Sequence, residues 1–319
     1  KKMQKKILVA GGSGFIGINL LKKISLKKRY KISATFFKKK KFQKYKNVNY
    51  KKVNLFNLKD CIKITKNIDI VIMCAANTSG AHVIENKPLV HLNPNLRLNM
   101  NMLEASHLNK VKKFIFISSS VVYPQTKTPL RENHVNYKFY NKYFISGWMK
   151  LFSEKLCEIY SNKIKTPMIT IIVRPSNLFG AFDKFDEKKS KVIPSLIRRV
   201  VKKENPLIVW GNGNDLKDFL FIDDFIGAIE RIITSINYHD IFNIGYGKSV
   251  TIKKILKLIL KIENYKNARI LYDKKKPKMV PRRLINTNKS KIKLNFKVKN
   301  TIEEGLKKTL HWYKNYDHS

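Results

Sequence analysis

The amino-acid sequence predicts an α/β protein with a doubly wound parallel sheet and a smaller mixed α/β domain on its C-terminal side. Two observations predict this fold class. Short, largely apolar runs alternate with longer amphipathic stretches through the first half of the chain, which is typical of parallel strands joined by helices. After Arg174 and Pro175, Gly, Pro and aromatic residues interrupt this alternation. The chain has 319 residues, 43% of them hydrophobic, and this length suits about two domains.

The apolar runs are predicted to be strands, because short runs of this kind suit a parallel sheet that is covered on both faces. They comprise Ile7–Ala10, Tyr30–Phe36, Val48–Val53, Ile70–Cys74, Phe114–Ile117 and Met168–Val173. Apolar residues recur at helical spacing in stretches between these runs, which predicts helices at Phe15–Ile24, Asn95–Asn109 and Trp148–Lys163. This order of elements implies right-handed crossovers between the strands.

The composition argues against several classes of partner. The formal net charge of +44 would ordinarily favour nucleic acid or an anionic membrane. However, the basic residues are spread over every segment, and no nucleic-acid motif accompanies the short runs at 38–41 and 274–276. The three cysteines are widely spaced and form no metal-ligand pattern, and no apolar run reaches membrane-spanning length. We therefore expect a cytoplasmic protein with no bound metal, no nucleic acid and no membrane partner.

A glycine turn follows the first predicted strand and begins the first predicted helix. Gly11 permits the tight turn, Gly14 lets the backbone approach a pyrophosphate, and Gly17 lets the helix pack closely on the strand. Phe15 and Ile16 form the first helical turn, whose N-terminus stabilises an anion. The context on both sides predicts a Rossmann-type site for a nicotinamide dinucleotide.

The end of the second strand distinguishes the two nicotinamide dinucleotides. An acidic residue usually stands there when NAD is bound, because a carboxylate accepts hydrogen bonds from the adenosine ribose. This strand instead ends in Lys38 and the lysines that follow it. Cationic side chains suit the 2′-phosphate of NADP. We expect NADP as the cofactor, with Lys38 near the 2′-phosphate, and NAD as the alternative.

Several further motifs resemble one family, the extended short-chain dehydrogenases/reductases that act on nucleotide sugars, and among them the enzymes similar to GDP-L-fucose synthase. The resemblance covers nearly the whole chain. Besides the glycine turn, it is carried by Cys74–Gly80, Asn99–Ser106, Val111–Pro124, Arg174–Gly180, Val192–Arg198 and Val209–Gly213. It implies a NAD(P)-binding Rossmann domain at residues 1–175, rejoined by about 219–245, and a nucleotide-sugar domain at residues 176–319.

The resemblance also implies positions for the ligands. It places five further residues near the cofactor: Asn54, Leu55, Ala75, Ala76 and Pro175. It places six residues near the sugar nucleotide: Asn177, Lys191, Arg199, Trp210, Lys217 and Arg283. Lys217 stands where the family commonly has Arg, so bidentate recognition of a phosphate would be lost there.

In the family, a Ser, a Tyr and a Lys carry out the chemistry. The resemblance assigns the serine to Ser119 and the lysine to Lys150. The tyrosine should precede the lysine by four residues, so that both lie on one helix face, but that position is Ser146. A serine hydroxyl is too weak an acid for this role unless a base stands beside it.

Three other tyrosines precede Lys150. Tyr143 is the nearest substitute, and we assign it as the candidate acid. On a continuous helix it would lie about 10 Å from Lys150 along the axis, so it could serve only if the helix begins late or irregularly, which Gly147 would permit. Tyr137 and Tyr140 in the same segment are the alternatives.

The family resemblance also indicates which reaction is absent. GDP-L-fucose synthase uses a Cys and a His to epimerise its sugar before reduction, and Val121 and Lys191 stand at those positions. Valine cannot transfer a proton, and lysine would need a strongly lowered pKa to do so near neutrality. We therefore predict hydride transfer on a 4-keto nucleotide sugar without double epimerisation.

Two functions remain open from the sequence. The first is an NAD(P)-dependent oxidoreductase, epimerase or dehydratase that acts on a nucleotide sugar. The second, favoured by the missing tyrosine, is a catalytically weakened protein that binds the dinucleotide or the sugar nucleotide as a sensor or enzyme partner. The resemblance further implies a homodimer packed through the helices at Asn95–Asn109 and Trp148–Lys163.

Overall fold

The computed structural model describes residues 4–38, 41–78, 86–187, 189–275 and 281–316. Its main element is a parallel sheet of seven strands: β1 (Lys5–Ala10), β2 (Tyr30–Phe36), β3 (Val48–Lys52), β4 (Ile70–Met73), β5 (Lys113–Ile117), β6 (Ile169–Pro175) and β10 (Asp240–Ile244). They lie in the order β10-β6-β5-β4-β1-β2-β3. The direction of the strand order reverses between β1 and β4, and sheets of this kind bind ligands at such a point.

The helices cover both faces of this sheet and extend into the C-terminal part. They are α1 (Phe15–Ile24), α2 (Leu58–Thr65), α3 (Asn93–Leu108), α4 (Phe144–Asn162), α5 (Val192–Val201), α6 (Ile222–Ser235), α7 (Ile252–Ile262), α8 (Asn288–Leu294) and α9 (Ile302–Asn315). Successive residues of a strand point to opposite faces: Leu8 packs in the cluster of α2, α3 and α4, whereas Val9 packs with α1 and α6. The predicted doubly wound α/β fold is confirmed.

A smaller set of strands lies beyond the main sheet. In one sheet, β9 (Leu216–Phe221) pairs with β7 (Asn177–Phe179), β11 (Ser249–Thr251) and β13 (Arg282–Arg283). In another, β8 (Leu207–Trp210) pairs with β12 (Ile270–Asp273). One apolar cluster runs from β1 through these strands to α9, so the two parts of the chain share a core. The bounds that we assigned to the two domains stay a prediction.

A buried polar network attaches α4 to the carboxyl end of β6. The Arg174 guanidinium donates to both carboxylate oxygens of Glu154, at 2.6 and 3.0 Å, and both side chains are 3% exposed. Arg174 also donates to the Tyr123 hydroxyl at 2.8 Å and to the Glu132 carbonyl at 2.7 Å. The Tyr123 hydroxyl donates in turn to Asn243 at 2.7 Å. The network therefore joins α4, the loop after β5, β6 and β10.

Arg174→Met is expected to lower the free energy of unfolding by about 3–5 kcal/mol, because it leaves the Glu154 carboxylate buried without its ion-pair partner. Urea unfolding followed by circular dichroism measures the change. Lys155→Met is the matched control, since it removes the exposed ion pair of Lys155 with Glu158 on the same helix and should cost less than about 1 kcal/mol. Equal losses in the two variants would contradict a structural role for the buried pair.

Candidate active site

A cavity of about 520 Å³ opens at the carboxyl end of the main sheet and continues to the smaller strands. Its wall includes the start of α1, the ends of β4, β5 and β6, one face of α4, and residues of β8, β9 and β13. Many of the site residues predicted from the sequence line this cavity. Twelve of them lie outside α4 and the turn before it: Gly14, Phe15, Ile16, Ala76, Ser119, Pro175, Asn177, Lys191, Arg199, Trp210, Lys217 and Arg283. Tyr143 and Lys150 line it as well.

The glycine turn is shaped by close backbone approaches. Gly11 has φ +88°, and its N–H donates to the Thr35 hydroxyl at 2.9 Å. A Cβ on Gly11 would lie 2.6 Å from the Ala75 backbone, and a Cβ on Gly17 would lie 2.2 Å from the Gly11 carbonyl oxygen. Neither position has room for a side chain. These contacts hold the turn between β1, β2 and the segment after β4.

The first turn of α1 fits the diphosphate of a dinucleotide. Its N-cap is Gly14, no side chain caps the helix, and no acidic residue lies in the first turn. The N–H groups of this turn have no intrahelical partners, and Phe15 and Ile16 line the cavity. An uncapped helix N-terminus beside a cavity attracts an anion through both its N–H groups and its dipole.

The residues predicted to contact the adenosine half of the dinucleotide lie outside the cavity wall. Lys38 is exposed, and its ammonium is 5.9 Å from the centre of the Phe37 ring. Leu55 is buried, and the Asn54 side chain accepts a hydrogen bond from the Phe56 N–H at 3.2 Å. The lysines at 39 and 40, and the last two residues of the motif at 74–80, lie outside the described residues. The contacts predicted for Lys38 and Asn54 with the cofactor therefore stay predictions.

Lys150 is buried on the face of α4 that borders the cavity. Its ammonium donates to the Ile117 carbonyl at 2.8 Å and lies 4.8 Å from the centre of the Phe116 ring. Burial lowers the pKa of Lys150 to about 8, and the negative potential of Glu154 opposes this shift. Ser119 lies at the end of β5, where its hydroxyl accepts from the Val121 N–H at 3.3 Å. Lys150 and Ser119 thus border the same space.

Tyr143 lies in a different environment from Lys150. The helix α4 begins at Phe144, directly after a 3₁₀ turn at Asn141–Tyr143, so it does not begin late. The Tyr143 ring packs 4.5 Å from the guanidinium carbon of Arg283, and burial raises the pKa of its phenol. Its catalytic role stays a prediction, and so do those of Tyr137 and Tyr140, which the cavity wall does not include.

The end of the cavity that the smaller strands form is rich in cations. Lys217 is 3.5 Å from the Asp215 carboxylate, and burial lowers the pKa of Lys217 to about 8. Arg199 pairs with Glu204 at 2.8 Å. Arg283 is 8% exposed, and within the described residues no carboxylate lies within 4 Å of its guanidinium. A buried guanidinium of this kind favours an anionic partner.

The other predicted substrate residues lie on separate sides of the cavity. The Asn177 side chain donates to the Asp218 carbonyl at 2.9 Å. Trp210 is 42% exposed. The Lys191 ammonium lies 5.7 Å from the centre of the Phe15 ring, which places it beside the glycine turn. The predicted contact of Lys191 with the sugar nucleotide stays a prediction.

Sequence reasoning missed Asp183. This carboxylate lines the cavity, is 8% exposed, and has one oxygen without a hydrogen-bond partner among the described residues. Burial raises the pKa of Asp183, and the charge of Lys191 opposes the shift. The preceding residue, Phe182, has φ +66°, a strained conformation for a bulky side chain. No periodicity or spacing in the sequence indicates this arrangement.

In the described part of the chain, no group of three or more His, Cys, Asp or Glu side chains could hold a metal ion. No helix within the same ranges is both long and apolar enough to cross a membrane.

Gly17→Ala is expected to weaken binding of NADPH about 10- to 100-fold, because the new methyl group must displace the Gly11 carbonyl and overpacking costs about 1–3 kcal/mol. Fluorescence titration of NADPH measures the dissociation constant. Gly227→Ala, in the interior of α6, is the control, since its Cβ would meet nothing within 4 Å. That control should bind NADPH normally, and unchanged binding in Gly17→Ala would refute the assigned turn.

Comparisons with known proteins agree with this architecture. The model of the NAD-dependent epimerase/dehydratase family matches residues 7–245. Probable GDP-L-fucose synthase 1 of Oryza sativa subsp. japonica is 30% identical over 252 residues, which cover 76% of this chain and 75% of the relative. GDP-L-colitose synthase of Yersinia pseudotuberculosis is 29% identical over 322 residues, with 97% and 98% covered.

Solved structures share the fold over nearly the whole chain. UDP-glucose 4-epimerase from Thermotoga maritima, solved with UDP-glucose, superposes with a TM-score of 0.86 at 23% identity, covering 97% of this chain and 98% of the other. UDP-glucose 4-epimerase from Thermus thermophilus, solved with NAD, superposes with a TM-score of 0.83 at 19% identity, covering 97% and 99%. From the glycine turn, the parallel sheet and the family match, it follows that this chain belongs to the NAD-dependent epimerase/dehydratase family.

Proposed function

We propose that the protein is an NADP-dependent oxidoreductase that transfers a hydride to a 4-keto nucleotide sugar. Membership of a nucleotide-sugar epimerase/dehydratase family is the starting point. The observation that carries the proposal is one continuous cavity, with the uncapped start of α1 at one side and Lys217 and Arg283 at the other. Two anionic ligands, a dinucleotide and a nucleoside diphosphate sugar, would fit such a cavity. NAD is the alternative cofactor.

Three residues would act around the reacting carbonyl. The bound dinucleotide would supply the hydride. Lys150 presents a buried ammonium to the space beside Ile117, where it can orient a ribose hydroxyl and stabilise negative charge. Ser119 lines the same space and can donate its hydroxyl hydrogen to a carbonyl oxygen. Tyr143 is the candidate acid that the sequence indicates.

The residues at the substrate end suit a diphosphate. Arg283 presents a guanidinium without a carboxylate nearby among the described residues, and Lys217 and Arg199 add positive charge to the same wall. Guanidinium and ammonium groups hold phosphates through charge-assisted hydrogen bonds. The named relatives are synthases of GDP-linked sugars, and we extend only the class, a nucleotide-linked sugar, to this chain.

We further propose that double epimerisation is absent. Val121 lines the cavity and has no side-chain proton to exchange. Lys191 lies against the Phe15 ring, beside the glycine turn, which suits a contact with an anionic ligand better than proton exchange at a sugar carbon. The second candidate function, a binding protein with weakened catalysis, is favoured by Ser146, because this serine stands where the family has its tyrosine.

Turnover separates these two functions. Purified protein with NADPH and a 4-keto-6-deoxy nucleotide sugar should oxidise the cofactor, followed at the nicotinamide absorbance, and NADH should be the poorer reductant. Lys150→Ala should lower kcat by about 10²–10⁴-fold, the contribution typical of positioned acid–base groups. Tight binding of NADPH without oxidation, in the wild type and in Lys150→Ala alike, would instead establish the binding function.

We also propose that two copies of the chain pair through α3 and α4. These helices lie side by side, joined by the Asn99 side chain, which donates to the Ser153 hydroxyl at 2.9 Å. Large apolar side chains are exposed along them at Met100, Leu108, Phe144, Trp148, Phe152 and Ile159. An apolar patch of this kind can pack on its own copy about a two-fold axis. A homodimer would cover it.

Phe152→Lys is expected to convert the dimer into a monomer, because it would place two ammonium groups in the apolar interface of the pair. Light scattering after size exclusion gives the molar mass. Ile292→Lys is the control, since this side chain on α8 is 82% exposed and lies outside α3 and α4. A wild-type monomer would refute the proposed pairing.

The proposal includes the cellular compartment of the protein. The three cysteines, Cys61, Cys74 and Cys157, are all unpaired. Free thiols persist in reducing compartments, so we propose a cytoplasmic location.

A further inference from the structure

The Asp183 carboxylate lies in the cavity wall with most of its hydrogen-bonding capacity unused. It is 8% exposed and lines the cavity from the loop between β7 and α5. One oxygen accepts from the Lys184 N–H at 2.8 Å, and the other has no partner among the described residues. A carboxylate offers about four acceptor positions, and the described contacts fill one of them. Buried polar atoms without partners are rare in native proteins, so this carboxylate calls for an explanation.

Two other aspartates are buried in the described part of the chain, and both bind backbone N–H groups. Asp218 accepts from two of these groups, each at 2.9 Å. Asp224 also accepts from two, at 2.9 and 3.1 Å. Each of these aspartates uses both of its oxygens, and neither lines the cavity. Asp183 differs in both respects, and therefore a purely structural role does not account for its burial.

Aromatic packing fixes the loop that carries Asp183. On one side of it in the sequence, the Phe182 ring lies 4.9 Å from the Trp312 ring of α9, measured between ring centres. On the other side, the Phe185 ring stacks on Tyr313 of the same helix at 4.6 Å. The backbone at Phe182 has φ +66°, and such a conformation persists only where the surrounding structure imposes it. The contacts with α9 therefore hold Asp183 at the cavity wall.

The nearby cations do not use this capacity. Lys184 and Lys191 act on Asp183 through their charges, but in the described part of the chain neither ammonium is hydrogen-bonded to its carboxylate. The Lys184 ammonium donates instead to the Thr78 carbonyl, and the Lys191 ammonium lies beside the Phe15 ring. The carboxylate of Asp183 is thus able to accept hydrogen bonds from a ligand in the cavity.

Hydrogen-bonding chemistry limits the ligand group that Asp183 can bind. A diphosphate carries negative charge and offers acceptors alone, so a carboxylate repels it. A hydroxyl group has both a hydrogen to donate and lone pairs that accept. It therefore suits Asp183 whether the carboxyl group is ionised or protonated. The ligands of the proposed function carry such hydroxyl groups on their sugar rings.

We propose that Asp183 is a ligand-binding residue that forms a hydrogen bond with a hydroxyl group of a sugar ring in the cavity. This inference rests on the proposed function, which brings two such rings to the cavity. One is the ribose that carries the nicotinamide, and the other is the hexose of the nucleotide sugar. Both rings present the same chemistry to Asp183, and binding measurements with ligand fragments separate them.

Asp183→Asn is expected to raise the dissociation constant of the ligand that it binds about 5- to 10-fold, because a neutral amide is a weaker acceptor than a carboxylate. Titration calorimetry measures this change. If the ribose is bound, NADPH and 2′-phospho-ADP-ribose should both bind more weakly, whereas 2′-phospho-ADP, which lacks that ring, should not. If the hexose is bound, a GDP-linked 4-keto-6-deoxy sugar should bind more weakly, whereas GDP should not.

Three results would overturn the proposal. The first is equal dissociation constants in the wild type and Asp183→Asn for every one of these ligands. The second is an equal loss for the fragments that lack the ring, which would indicate a general effect of charge. The third is a loss for NADPH alone, with 2′-phospho-ADP-ribose unaffected, because the bound group would then be the nicotinamide carboxamide.

Stability without ligand separates a binding role from a structural one. Burial raises the pKa of Asp183, which means that its charge is disfavoured in the folded protein. Asp183→Asn should therefore unfold at a urea concentration equal to or above that of the wild type. Asp224→Asn is the matched control: it should unfold at a lower urea concentration and bind all the ligands normally. A midpoint for Asp183→Asn as low as that of the control would overturn the binding role.

The failure of this proposal and the failure of the proposed function give different results. A wild-type protein that binds neither NADPH nor the GDP-linked sugar, and turns over neither, would overturn the proposed function. A wild-type protein that binds and turns over both, with Asp183→Asn indistinguishable from it in every titration, would overturn the role of Asp183 alone.

Discussion

The buried ion pair between Arg174 and Glu154 is the constraint on which the site depends. Glu154 lies one helical turn after Lys150, and Arg174 lies at the carboxyl end of β6. The pair therefore holds the face of α4 that bears Lys150 against the edge of the sheet where the cavity opens. Tyr123 and Asn243 extend the same network to the loop after β5 and to β10. A buried network of this kind holds one arrangement, because each polar group that lost its partner would remain desolvated.

The parallel sheet explains why the remaining groups converge. Strands that run in one direction deliver their following loops to one edge, so the glycine turn after β1, Ala76 after β4 and Ser119 after β5 meet there. The close approach of Gly11 to Ala75 shows how tightly two of these loops pack. The smaller strands then add Lys217 and Arg283 from the other side. One wall is suited to a dinucleotide and the opposite wall to a second anionic ligand.

Much of the fold was predictable because its signal is local. Four of the six predicted strands agree with the structure to within one residue at each end, whereas β1 begins two residues earlier, at Lys5, and β6 ends two residues later, at Pro175. The glycine turn was recognisable because both its neighbours, a buried strand and an amphipathic helix, are adjacent in the sequence. The start of α4 was not predictable: the helix begins at Phe144, ahead of Gly147, and Phe139 packs against that glycine and leaves no room for a Cβ there.

Local sequence patterns could not predict which distant segments of the chain contact each other. The family resemblance selected Lys150 and Ser119 as candidates, but only packing shows that Tyr143 faces Arg283, which lies 140 positions later. The same holds for Asp183, whose carboxylate is held in the cavity wall after the strained Phe182. Periodicity reports which face of an element is buried, and so the sequence was sufficient for six strands of the main sheet, three of the helices and the glycine turn. Which side chains meet across the cavity depends on loop conformations and on the docking of the smaller strands, and these arise from contacts between residues far apart in the chain.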